Sequence, residues 1–487
     1  MARVAVVGGG VAGLATALAI RDRAAATGLP LELTILEAAP RPGGNLRSER
    51  ADGYVIEWGP NGFLDNVPAT LELVERIGLA AEIQRADAAA SIRFLWRDGR
   101  LHALAASPLG FFASSVLSLG GRLRVLREPW TRPKPERLDE SVHDFAARHI
   151  GEEAARVLVG AMVSGVFAGD ARQLSLASAF PKMATMEAEH GSLVRAMLAR
   201  GRERRAAKKR LAALRARGAD APELERPGGP AGPGGTLTSF RNGIETLVEG
   251  LARAHGDALE LGRPALALLR LGGGGWRIEA EGGPVDADEV VLATPAAQAA
   301  PLVAPLDGAL ARTLEEIPNA GLAVVALAFD AAALGGAPRG FGFLAPRGEG
   351  LRILGCLWDS SIFPGRAPAG KVLWRAMIGG ALDPLAVALP DDELIGLVRG
   401  DLERAMGVRV APERRWIFRH RGGIGQYVVG HGERLARIAH ALDGLPGLEV
   451  AGQSYFGISM NACIEHAAVL AERVVGRLAT QPVAAGR

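Results

Sequence analysis

Cysteine is nearly missing from this chain. Cys356 and Cys463 are too few and too far apart for a disulfide framework or a cysteine zinc site, and the nine histidines show no H-E-x-x-H or comparable ligand spacing. No metal centre is expected, and a reducing compartment follows. Long apolar runs are missing too. The longest, Val157 to Ala168, falls short of the roughly 18 residues that a membrane span needs. Charge of one sign is also scarce: 56 Lys and Arg against 53 Asp and Glu leave a net +3, too weak a field to imply nucleic acid as a partner. The apolar run after Arg3 lacks a small-residue cleavage pattern, so it is not read as a secretory signal and a cytoplasmic location is expected. There is no internal repeat.

What remains is an ordinary globular composition, 48% hydrophobic and 22% charged, on a length of 487 residues that suits two or three domains. The most informative stretch is the first. Val4 to Val7 reads as a buried parallel strand, and Gly8, Gly10 and Gly13 follow with G-x-G-x-x-G spacing before a helix from Leu14. The first glycine allows the tight turn, the second lets backbone approach a pyrophosphate, and the third lets helix pack on strand. A second strand, Leu31 to Leu36, ends in Glu37, where an acid can accept ribose hydroxyls, and a glycine pair, Gly43 and Gly44, follows in Ala39 to Ser48. This combination binds a dinucleotide; spacing alone does not choose which one.

Further along, Ile92 to Trp96 and Gly99 to Ala103 form a hairpin about Arg97-Asp98-Gly99. From Ser107 to Met197 the pattern turns helical, with Phe111, Phe112, Val142 to His149 and Ala154 to Val166 on apolar faces that suit core packing, a membrane contact or a substrate channel. Arg195 to Arg217 carries ten basic residues against Glu203 alone, a solvated helix or an anionic lipid contact. Glu223 to Gly235 is a Pro/Gly-rich linker. Strand patterns resume at Thr238, alternate with helices from Pro301 to His440, and end in the strand Leu448 to Gly452 and the helix Ala462 to Leu478.

The glycine triplet, Glu37 and R-x-G-G resemble the flavin-dependent amine oxidase superfamily. Within it, WGPNGFL (Trp58 to Leu64), VSGVFAGD (Val163 to Asp170), FPKM (Phe180 to Met183), SFRNGIETL (Ser239 to Leu247), FGFLAP (Phe341 to Pro346), SSIFPGRAP (Ser360 to Pro368), QYVVGH (Gln426 to His431) and AGQSYFGISMNACIEHA (from Ala451) together resemble the protoporphyrinogen oxidases. The resemblance implies an α/β fold: a discontinuous FAD-binding Rossmann-like domain (1–85, 236–300 and 441–487), an α+β substrate-binding domain (86–105 and 301–440), and a helical, membrane-associated domain (106–200), with 201–235 as linker. It implies FAD as cofactor, a tetrapyrrole substrate, molecular oxygen as acceptor and hydrogen peroxide as product, with peripheral membrane contact and a homodimer as family expectations.

Site roles carry over residue by residue. Gly8, Gly10 and Gly13 match the pyrophosphate contacts, Glu37 the adenosine ribose, Gly44 and Arg47 the approach to the flavin, Ala265 a backbone contact to adenine, and Gly452 and Met460 main-chain contacts at the pyrophosphate and isoalloxazine edge. Arg93 matches the arginine holding a substrate propionate, a role that its planar fork suits. Asn61 matches a polar residue near the flavin, Phe363 an aromatic stacked on a pyrrole ring, and Leu344 a clamp on the opposite face. Each has a bland alternative: a strand arginine, a turn asparagine and two core residues. No acid or base is nominated. Two departures stand out: Gly425, where the family commonly has proline, and Met460-Asn461-Ala462 in the last motif. The alternatives are coproporphyrinogen III oxidation, another amine oxidase, or a flavin-free protein resembling GDP-dissociation inhibitors.

Overall fold

The computed structural model describes residues 1–104, 114–132, 139–216 and 234–480. Five strands that lie far apart in sequence form one parallel sheet, in the order Leu259–Leu261, Leu31–Glu37, Ala2–Val7, Glu289–Leu292, Leu448–Val450. Parallel strands need cover on both faces. Alternation along Ala2–Val7 sends Val4 and Val6 into a core shared with helices Val11–Thr27, Glu245–His255 and Met460–Thr480. Ala5 and Val7 enter a second core with Trp276 and Ile278 of a three-stranded antiparallel sheet and with helices Ala296–Val303, Gly308–Glu315 and His431–Asp443. The last helix starts at Met460 rather than the expected Ala462. Ser459 is the reason: its hydroxyl accepts the Ala462 N–H at 3.1 Å, a side-chain cap.

A second sheet of seven strands runs Arg414–Gly425, Asn319–Asp330, Lys371–Gly379, Gly355–Leu357, Gly342–Leu344, Arg93–Arg97, Arg100–Ala103. The Arg93–Arg97 hairpin turns through Asp98 and Gly99, both at positive φ, and is joined to Gly342–Leu344 in parallel. Along Asn319–Asp330, Val325, Leu327 and Phe329 face the helix Asp391–Met406, whereas Val324, Ala326 and Ala328 face Tyr54 and Ile56. The second face therefore looks toward the nucleotide-binding half.

Helices Val142–Ile150, Gly160–Phe167, Pro181–His190 and Leu193–Ala216 form a lobe beside this sheet, against the face that bears Leu95 and Leu344. The expected helix from Ala154 to Val166 is present and continuous, widened to a π-helix over Ala155–Val159. Ala154, Val157 and Ala161 pack on Leu95, Val116 and Leu117, so this apolar face is core. Leu119–Leu126 does the opposite. Leu119 and Trp130 are 72% and 75% exposed, with Leu123 and Leu126 between them on the same side. Among the described residues, no helix is long and apolar enough to cross a membrane. Phe111, Phe112, Arg217 and most of the Glu223 to Gly235 linker lie outside the described residues.

Candidate active site

The first turn is shaped by what its glycines exclude. Gly8 has φ +113, and a Cβ on Gly13 would collide with the Gly8 carbonyl. Gly10 is different, because no described atom lies within 4 Å of where its Cβ would be. Gly44 faces it with only the Gly10 Cα close by, and the Gly43 N–H donates to the Gly9 carbonyl at 2.8 Å. The two glycine turns enclose an open cradle at the start of Val11–Thr27, a helix with no side-chain cap, whose free N–H groups and dipole favour an anion. Glu37 accepts the N–H groups of Gly9 (2.6 Å) and Ala39 (2.8 Å), one on each oxygen, and both oxygens keep lone pairs for hydroxyl groups. The carbonyls of Glu37 and Ala39 accept from Arg263 and Gly262, which docks the strand beginning at Ala265 alongside. Gly452 lies against Ala12 and Ala293 at the cradle's other wall, while the Met460 side chain is turned into the core, leaving only its main chain for a ligand.

Cationic and aromatic groups continue from the cradle. Arg41 and Arg47 place their guanidinium groups 5.0 and 5.1 Å from the Trp58 ring centre, and Trp58 stacks on Phe418 at 4.7 Å. Burial and the neighbouring Arg41 lower the pKa of Arg47. Arg41 Nη2, Arg47 Nε and Thr294 Oγ1 are buried without a partner among the described residues. Buried donors left open beside an anion cradle fit a bound dinucleotide. The Trp58 carbonyl lies 2.8 Å from His420 Nε2; burial lowers the His420 pKa, so a neutral ring donating from Nε2 satisfies this contact.

Two buried ion pairs hold the loop that carries Asn61. Arg375 donates to Asp359 through Nε (2.5 Å) and Nη2 (3.1 Å), and its Nη1 donates to the Glu57 and Gly59 carbonyls. Asn61 Nδ2 donates to the same Asp359 at 3.2 Å, and its Oδ1 is buried without a partner among the described residues. Glu57 meets Arg366 at 2.7 Å and accepts from Ser48 Oγ and the Ile244 N–H, while burial pushes its carboxyl upward in pKa. Arg366 also donates to Ser239 Oγ at 3.0 Å. Three motifs distant in sequence, YVIEWGPN, SFRNGIE and SSIFPGR, thus meet in one charged junction.

Arg93 and Leu344 stand on adjacent strands, with Gly342 opposite Arg93 and Leu344 opposite Leu95. Period-two alternation puts Arg93, Leu95 and Leu344 on one face, toward the helical lobe, where Leu344 meets Gly165. The Arg93 guanidinium sits 5.1 Å from the Phe341 ring centre, and burial lowers its pKa. Phe363 is placed otherwise. It is 1% exposed, packed with Ala90 and Ile362 and covered by the Arg366 guanidinium at 5.2 Å, which is the position of a core residue. Both cysteines are buried, and burial pushes the Cys463 thiol up to about 12, so neither is a reactive thiol.

Comparison with known proteins extends this geometry. Residues 11–475 match the family model described as flavin containing amine oxidoreductase. The chain belongs to that family. It is an FAD-dependent oxidoreductase, and the cradle, Glu37 and the open donors of Arg41, Arg47 and Thr294 are the residues that would hold FAD. The chain is 33% identical over 503 residues to protoporphyrinogen oxidase of Bos taurus, covering 97% of this chain and 98% of that one. It is 29% identical over 475 residues to coproporphyrinogen III oxidase of Bacillus subtilis, covering 95% of each. A crystal structure from Exiguobacterium sp. 255-15 superposes with a TM-score of 0.81 at 26% identity, over 98% of this chain and 99% of the other.

Arg41, Trp58, Thr294, Asp359 and Arg375 are not among the site residues expected from sequence. Arg41 was within reach, since it opens the R-x-G-G segment. Asp359 and Arg375 carry no local signal; only the fold brings them under Asn61. The departure at Asn461 also has a structural partner. Asn461 accepts from Thr70 Oγ1 at 2.8 Å and donates to the Leu64 carbonyl at 2.9 Å, tying the last helix to the WGPNGFL segment.

Proposed function

We propose that this flavoprotein oxidises protoporphyrinogen IX to protoporphyrin IX in heme biosynthesis, with coproporphyrinogen III as the alternative substrate. Arg93 carries the reading. Its guanidinium lies 5.1 Å from the Phe341 ring centre, on a strand whose Leu95 shares a face with Leu344, and its planar fork suits a propionate carboxylate. Relatives of both names support the class of reaction.

Bound FAD supplies a two-electron acceptor that molecular oxygen regenerates with release of hydrogen peroxide, so a six-electron oxidation takes three rounds. The protein's part is orientation and exclusion of water. Arg93 pairs with a propionate, and its low-dielectric setting strengthens that pairing. Asn61, with its amide fixed by Asp359, orients the macrocycle from the cofactor side; Leu344 limits its movement on the other. Phe363 belongs to the support of this wall through Arg366. The test is competition between the two porphyrinogens on the purified yellow protein, followed by porphyrin fluorescence and peroxide. Preferential oxidation of protoporphyrinogen with three peroxides per porphyrin supports the reading. Preference for coproporphyrinogen selects the alternative, and no porphyrin from either rejects both.

A cytoplasmic protein with peripheral contact to anionic lipid is the companion reading, and a homodimer the expected assembly. Leu119, Leu123, Leu126 and Trp130 form an exposed apolar stripe beside Arg127 and Arg132, in the same lobe as the basic helix Leu193–Ala216. Sedimentation with phosphatidylglycerol vesicles, lost in Leu123→Asp, tests the contact; sedimentation with neutral vesicles alone, or with none, rejects it.

A further inference from the structure

The QYVVGH segment stands at a junction of three parts of the molecule. On one side, Ser175 N–H donates to the Tyr427 carbonyl (2.8 Å), Val429 N–H to the Gln173 carbonyl (2.8 Å), and Gln426 Nε2 to the Phe167 carbonyl (2.8 Å), so the segment is bound to the helical lobe. It also continues directly from the strand Arg414–Gly425 of the seven-stranded sheet. On the third side it grips the loop between Gly452 and Met460. The Tyr427 hydroxyl donates to the Gln453 carbonyl at 2.6 Å and accepts the Gly457 N–H at 2.8 Å.

Gln453 is held at its other end as well. Its Nε2 donates to the Gly423 carbonyl at 2.9 Å, and the same carbonyl accepts Asn45 Nδ2, from the Gly43-Gly44 turn, at 2.9 Å. One carbonyl therefore fixes the relative positions of two loops that border the cradle. The strand passes closely here, since a Cβ on Gly425 would stand 3.1 Å from the Gln453 carbonyl oxygen. Ser454, the next residue, accepts the Ala296 N–H at 3.0 Å and holds the loop from the opposite side. The Tyr427 ring is itself confined, stacked on His431 at 4.2 Å and edge-on to Phe167 at 6.2 Å, and it is 3% exposed.

We propose that Tyr427 is a positioning residue for the FAD site: its hydroxyl sets the backbone of Gln453 to Gly457, and through it the placement of Gly452 and of the Met460 helix start against the glycine turn. Gly425 leaves the strand and the Gln453 carbonyl in close apposition beside this grip. The inference rests on FAD as the cofactor and not on which porphyrinogen is oxidised, so failure of the substrate reading leaves it intact.

Tyr427→Phe keeps the ring and its stacking and removes both hydroxyl hydrogen bonds. FAD release from the purified holoprotein, followed by flavin fluorescence, should then show a dissociation constant raised about tenfold, with a shifted visible flavin absorption band. An unchanged dissociation constant and spectrum, even with a lower melting temperature, overturns the proposal, since a purely structural tyrosine would behave so. If Tyr427→Phe does not fold, Gly425→Val, whose branched side chain would push the Gln453 carbonyl away from the strand, decides: weaker FAD binding with a shifted band supports the grip, and unchanged binding overturns it.

Discussion

The glycine turn and the Arg93 face solve recognition in opposite ways. Around Gly8, Gly10 and Gly13 the binding groups are backbone, a helix end and one acid, supplied mostly by residues 8–44, with Gly452 and Thr294 closing the cradle from afar. Around Arg93 they are side chains whose direction is set by strand register and by ion pairs between remote segments. A backbone cradle is insensitive to side-chain chemistry but intolerant of a single added Cβ. A side-chain wall behaves the other way, tolerating exchanges that keep volume and failing when a charge loses its partner. Sensitivity to substitution should therefore separate the two regions.

The largest effect is expected in the cradle. Gly13→Ala forces a Cβ against the Gly8 carbonyl, and overpacking of this kind costs about 3 kcal/mol. The variant should purify without yellow colour, measured as the ratio of flavin to protein absorbance. Normal flavin content would break the comparison on its stronger side. On the other side, Asp359→Asn leaves Arg375 buried and unpaired, with a cost of about 3–5 kcal/mol in urea unfolding. The double exchange of Asp359→Leu with Arg375→Met should recover most of that stability while still misplacing Asn61, which sharpens the distinction between a charge kept for position and one kept for stability.

These regions also differ in how legible they were. The cradle could be read because glycine spacing encodes a turn, and a strand ending in Glu37 places an acid at a fixed distance from it. Arg93 and Leu344 could be aligned by motif, yet their shared face follows from a parallel pairing of Arg93–Arg97 with Gly342–Leu344, which no local pattern specifies. Phe363 stays open in sequence because an aromatic in SSIFPGR suits a stacking wall and a core equally; in the fold Arg366, three residues on, closes over it. The helical lobe was ambiguous in sequence for a similar reason. Periodicity identifies an apolar face but not what covers it, and here Ala154 and Val157 face the sheet while Leu119 and Leu123 face outward.

Acid should stress the junctions between the regions. Burial lowers the pKa of His255, His420, His431 and His466, with His431 pulled down to about 4 from 6.5. A depressed histidine pKa means that the unfolded chain binds the proton first. The contribution of His431 is complete above pH 6.5 and is lost progressively as pH falls toward 4, to about 3 kcal/mol at most. His431→Phe, which retains a ring against Tyr427, should flatten the decline of melting temperature between pH 7 and pH 5; an identical decline would remove His431 from this account.

The smallest expected effect is also the most direct test that cofactor and substrate are held by separable regions. Arg93→Ala should leave the FAD dissociation constant unchanged and raise the KM for protoporphyrinogen at least about tenfold, the loss of one charged hydrogen-bonded anchor. An unchanged KM, or an equal loss of FAD and substrate affinity, would contradict it.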